Sequence, residues 1–137
     1  MFEGIDWVGV LVATIAAMPI GAAWFGLLAK PWIAANGFTP EQIAEIEANR
    51  DVRPYVVAVA THFVSAAVLS LLIDRTVSGS VPGGIVIGLL CWLGFVATTL
   101  SLTHRFQLRP WSLTVLDAGH YLVVLAVQGA ILGWFAS

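Results

Sequence analysis

Four long apolar runs separated by polar segments of unequal length set the pattern of this chain. Residues 7–29 hold 23 positions without a charge. At a rise of about 1.5 Å each they reach roughly 35 Å, enough to cross a hydrocarbon layer of about 30 Å. Residues 54–73 form a second run with one histidine, His62, and residues 81–103 a third, again of 23 uncharged positions. The fourth, residues 111–135, carries Asp117 and His120 in its first half and Gln128 further on. The pattern predicts an all-α, integral membrane four-helix bundle in a single domain, with spans at about 7–29, 54–73, 81–103 and 111–135. Pro19, close to Gly21, predicts a kink in the first span, the freed carbonyl being served by Thr14 or by a neighbouring helix.

Between the first two spans lies the one long polar segment, residues 30–53. Its interior predicts a short amphipathic helix over 40–49 with a complete start signal. Thr39 is the N-cap, Pro40 the first helical residue and Gln42 the closing member of a capping box. Phe38 and Ile43 have the spacing of a hydrophobic staple, and Glu41, Glu45 and Glu47 favour the positive end of the helix dipole. Residues 74–80 and 104–110 read as short turns, which make consecutive spans antiparallel. Gly84 and Gly88 are spaced to let two helix backbones approach closely, and Gly129 and Gly133 form a matching pair on the fourth span. By helical periodicity the face of Gly84 and Gly88 continues through Cys91, Phe95 and Thr98.

Composition agrees with the bilayer as solvent. The 137 residues are 59% hydrophobic and 10% charged, with a mean hydropathy of +0.92. A net charge of −2 and six scattered basic residues argue against nucleic-acid binding. The single cysteine, Cys91, has no partner for an intrachain disulfide and reads as a packing residue. The start of the chain is acidic, unlike a signal peptide, so the first helix is expected to be retained. Lys30, Arg50, Arg53, Arg105 and Arg109 fall on one side of the predicted bundle and only Arg75 on the other. The excess of positive charge places the first group in the cytoplasm and both termini outside. Trp7, Trp24, Trp32, Tyr55, Trp111 and Trp134 then fall near the two interfaces as an aromatic belt.

With this topology Asp117 and His120 lie at about 9 and 14 Å along the fourth span and His62 at about 12 Å along the second. Thr98, Thr99 and Trp24 come from corresponding depths, so all four helices contribute to one polar layer in the cytoplasmic half. Tyr121, Val124 and Gln128 continue the stripe of Asp117 and His120. A carboxylate at that depth needs a partner or a proton. The layer can be read as a hydrogen-bond network, as a proton or substrate path, as a metal or haem site using His62, His120 and Asp117, or as an intramembrane active site. No spacing of nucleophile, base and acid supports the last.

The segments Gly21-Ala-Ala-Trp24-Phe25, Lys30-Pro31-Trp32, Trp92-Leu-Gly94-Phe95-Val-Ala-Thr98-Thr99, Arg109-Pro110 and Asp117-Ala-Gly119-His120-Tyr121 give the chain a likeness. It resembles, over nearly its whole length, the bacterial domain-of-unknown-function family numbered 1761. The resemblance implies four membrane helices and a bacterial cytoplasmic membrane, and brings no activity, substrate or cofactor with it. In that family the place of Asp117 is commonly an asparagine, which implies a hydrogen-bonding role more than a proton carrier.

The sequence therefore predicts a non-catalytic membrane component without a cofactor, with the lipid bilayer as its surroundings. Its glycine faces are expected to pack it into a homo-oligomer or a larger membrane complex. The alternative is a small proton- or substrate-conducting transporter or channel using the polar layer, and a lesser one a haem- or metal-binding membrane protein.

Overall fold

In the computed structural model, which describes residues 2–76 and 79–137, every regular element is helical. Helices α1 (Trp7–Leu27), α4 (Arg53–Thr76), α5 (Val81–Phe106) and α6 (Trp111–Phe135) are each long and apolar enough to cross a membrane. Helices α2 (Ala29–Asn36) and α3 (Pro40–Ala48) lie between α1 and α4. The chain is a multi-pass membrane protein built around α6, which packs against α1, α4 and α5.

Local chemistry fixes most helix ends. Asp6 caps α1 by accepting the Gly9 N–H at 2.7 Å, while its own N–H donates to Ser70 Oγ at 3.2 Å and ties the start of α1 to α4. The first span stops at Leu27, two residues earlier than expected, and the chain bends at Leu28 into α2. Pro31 is the cause: it has no N–H to continue α1 but is tolerated in the first turn of a new helix. A left-handed Gly37, with φ of 67°, closes α2. Thr39 and Gln42 then form both bonds of the expected capping box, at 3.2 and 2.9 Å. Before α4 the exposed Asp51 pairs with Arg53 at 2.8 Å, and this guanidinium holds the Asp51 carboxyl below its usual range. Helix α4 runs on to Thr76, beyond the expected end at residue 73; the rest of the turn expected over 74–80 includes Val77 and Ser78, which lie outside the described residues.

Helix α1 passes through Pro19 without a break. Thr14 donates to the Val10 carbonyl at 2.7 Å, so it does not serve the Ile15 carbonyl that Pro19 leaves free.

At the end of the bundle that carries the chain termini, α5 and α6 touch backbone to backbone. A Cβ on Gly84 would fall on the Gly129 carbonyl, one on Gly88 on the Leu125 carbonyl, and one on Gly133 on the Ser80 carbonyl. The four packing glycines thus meet one another or the facing backbone inside a single chain. Beside this seam Val10, Ala13, Ala66, Leu69, Ile73, Leu125 and Leu132 from α1, α4 and α6 form the apolar core, with Cys91 packed at its edge.

Helix α5 changes register halfway. Trp92–Ala97 form a π-helical stretch, in which each backbone bond skips one residue more than in an α-helix. Gly84 and His104 are 20 residues apart, about 5.6 turns of regular helix, which would set them on nearly opposite sides. The wide turn takes up about half of this excess, and Gly84, Gly88 and His104 are all buried, with Trp92 and Val96 partly so between them. The face predicted through Phe95 and Thr98 is rotated outward: Phe95 is 74% exposed, and Thr98 and Thr99 are exposed as well. Thr98 donates to the Gly94 carbonyl in its own helix at 2.7 Å.

Replacement Gly84→Ala should destabilise the bundle by about 1–3 kcal/mol, because the methyl meets a backbone carbonyl that cannot swing aside. Reversible unfolding in detergent micelles measures this, with Gly26→Ala, whose Cβ has no atom within 4 Å, as the control.

Candidate functional site

The functional residues expected from the sequence converge on α6, at the end of the bundle that carries Lys30, Arg105 and Arg109. Three indole N–H groups reach three consecutive residues of this helix. Trp24 of α1 donates to the Leu116 carbonyl at 3.0 Å, Trp32 of α2 to Asp117 Oδ1 at 3.1 Å and Trp92 of α5 to the Ala118 carbonyl at 2.7 Å. Each tryptophan thus lays an apolar body in the bundle and finds a partner for its one donor. Gly119 makes room for the first of them, since a Cβ there would lie 2.9 Å from the Trp24 ring. Trp24 and Trp32 thus direct their N–H groups into the bundle.

The other oxygen of Asp117 faces His104, with Nε2 at 3.7 Å from Oδ2. His104, 7% exposed, places Nδ1 at 2.9 Å from Thr114 Oγ1, and Arg105 donates to the same hydroxyl at 2.6 Å while stacking on Trp111 at 3.7 Å from the ring centre. When Thr114 donates to Nδ1, the histidine proton lies on Nε2 toward Asp117, while Arg105 Nε and Nη1 are buried without a hydrogen-bond partner. His104 was expected in a loop; it belongs instead to the last turn of α5, which outlasts its predicted end by three residues. Arg109 donates to the Asn36 carbonyl at 3.0 Å and fastens the α5–α6 loop to the end of α2.

One turn deeper, His120 is enclosed by rings. Phe25 lies at 5.0 Å between centroids, Trp24 at 6.5 Å and His62 of α4 at 6.4 Å. The structure therefore brings together His62, His120, Trp24 and Asp117. It does not bring in Thr98 or Thr99: Thr99 lines an outward groove with Phe95, Val96, Leu100 and Tyr121. Tyr121, 40% exposed, also leaves the stripe expected of it, while Val124 and Gln128 remain buried. Gln128 sits two turns beyond His120, fully buried, and donates to the carbonyls of His62 at 3.2 Å and Ala13 at 3.5 Å.

A family model described as "Protein of unknown function (DUF1761)" matches residues 8–133. The chain belongs to the DUF1761 family. No curated protein and no solved structure matches it significantly. Within this DUF1761 chain, Trp32, His104 and Thr114 are the site residues that sequence reasoning missed. Trp32 lies on a helix hidden in the polar segment, and His104 and Thr114 are joined only after the wide turn of α5.

The network sets distinct outcomes for changes at Asp117. In Asp117→Asn the amide oxygen still accepts the Trp32 N–H, so the change in stability should stay below about 1 kcal/mol, whereas Asp117→Leu strands the indole and should cost about 1–3 kcal/mol. Unfolding in detergent of these variants, combined with Trp32→Phe in a double-mutant cycle, measures the coupling.

Proposed function

We propose that this DUF1761 protein is a non-catalytic component of a bacterial cytoplasmic membrane, and that its polar layer holds the bundle together. The observation that supports this most is the convergence of Trp24, Trp32 and Trp92 on Leu116, Asp117 and Ala118. A carboxylate that already accepts an indole N–H and faces a histidine is placed as a hydrogen-bonding hub. Between membrane helices, such a hub joins partners that hydrophobicity alone does not hold together.

The apolar core supports the same reading. It packs Val10, Leu69, Ile73 and Leu132 across the bundle between Gln128 and the chain termini, where a conducting path would have to continue. The glycines expected to mediate assembly are occupied inside the chain, so membership of a larger complex would use the outer side of α5, where Val86, Leu90, Leu93 and Phe95 are exposed. The orientation follows from positive charge: Lys30, Arg50, Arg53, Arg105 and Arg109 in the cytoplasm, both termini outside.

Vesicles loaded with a pH-sensitive dye test the reading. With the protein reconstituted, an imposed proton gradient should decay no faster than in protein-free vesicles. A faster decay that is lost in Asp117→Asn and His62→Ala would make the protein a conductor instead. For orientation, a Glu45→Cys chain in a Cys91→Ala background should react with a membrane-impermeant maleimide only in inside-out membranes; reaction in intact spheroplasts inverts the topology.

A further inference from the structure

Among the described residues, buried side-chain atoms without a hydrogen-bond partner occur on Arg105, on Gln128 and on both ring nitrogens of His120. His120 is 5% exposed, and neither Nδ1 nor Nε2 has a hydrogen-bond partner. His62, 9% exposed and 6.4 Å away between ring centroids, is the nearest nitrogen-bearing ring from another helix besides Trp24, whose N–H is already engaged with Leu116. Buried nitrogens without partners are uncommon enough to call for an occupant. We propose that His62 and His120 form a two-histidine site for a single monovalent soft metal ion, Cu(I).

Geometry and donor count select this class. A metal bonded to one nitrogen of each imidazole at about 2 Å sets the ring centres roughly 6 Å apart, close to the 6.4 Å between the centroids of His62 and His120. Asp117 does not complete a larger set, because one oxygen takes the Trp32 N–H and the other faces His104. Among the described residues no cluster of three or more His, Cys, Asp or Glu side chains could hold a metal. Zinc, which takes three or four protein ligands, is therefore poorly served. A d10 ion of single charge is content with two opposed nitrogen donors, and the apolar rings of Phe25 and Trp24 beside His120 make the desolvation of a doubly charged ion costlier than that of a singly charged one. Gly21 of α1 lies against the same ring: a Cβ there would be 3.4 Å from His120 Nε2.

The experiment uses the full chain in nanodiscs, in a Cys91→Ala background that removes the competing thiol. Cu(I), kept reduced and presented against a calibrated chelator, should bind at one equivalent per chain. His62→Gln and His120→Gln should each weaken binding at least tenfold, and X-ray absorption of the loaded protein should show two nitrogen neighbours and no sulfur. Undiminished binding in the double variant, a sulfur neighbour from Met18 or Met1, or tighter binding of Zn(II) than of Cu(I) overturns the proposal. So does the absence of any stoichiometric Cu(I), which would leave water as the occupant. The absorption spectrum needs no histidine variant, so misfolding of a variant does not protect the idea.

Discussion

Hydrocarbon offers no hydrogen bonds, and an indole N–H placed in it must find an acceptor within the protein. The arrangement of this bundle follows from how three such donors are satisfied. Trp24, Trp32 and Trp92 come from three different helices and end within one turn of α6. Two of them add a second bond to main-chain carbonyls, and the third takes the side chain of Asp117. Their bulk explains the glycine at 119, and their reach explains why α2 must fold back against α6 instead of prolonging α1.

The two ends of the bundle are held by different physics. Toward the chain termini, α5 and α6 meet through glycines, where dispersion and close backbone approach act without any polar side chain. Toward the basic end the contacts are directional: indoles, His104, Thr114 and the stacked Arg105. Between them the small residues Ala13 and Ala66 let α1 and α4 approach closely, and Gln128 bridges both to α6. Apolar packing supplies little preference for one helix rotation over another in lipid, so the directional end and the glycine seam together select the observed one.

The four spans were legible because each is an uninterrupted apolar run of membrane length, and the start of α3 was legible because capping is encoded by adjacent residues. The depth argument also placed His62 against His120, since rise per residue is constant along a regular helix. What failed was anything that depends on rotation. Thr98 was assigned to the glycine face on a period of 3.6 and, with Thr99, to the polar layer by depth alone; with the π-helical stretch at Trp92–Ala97 both are exposed and His104 is buried. No residue in that stretch announces the extra backbone step. Helix α2 was hidden for a different reason: it lies in the polar segment and is held by tertiary contacts, Trp32 with Asp117 and Arg109 with the Asn36 carbonyl, that the sequence does not display.

The wide turn of α5 also has a mechanical meaning. Skipping a residue loosens the hydrogen-bond ladder locally, and Thr98 back-bonds to Gly94 at the same place, a combination associated with bending. On one side of it the helix is clamped by glycine contacts and on the other by His104. Helix α5 is therefore two stiff levers joined by a soft segment. Bending of α5 is thus expected to concentrate at mid-depth, between the glycine seam and the basic end.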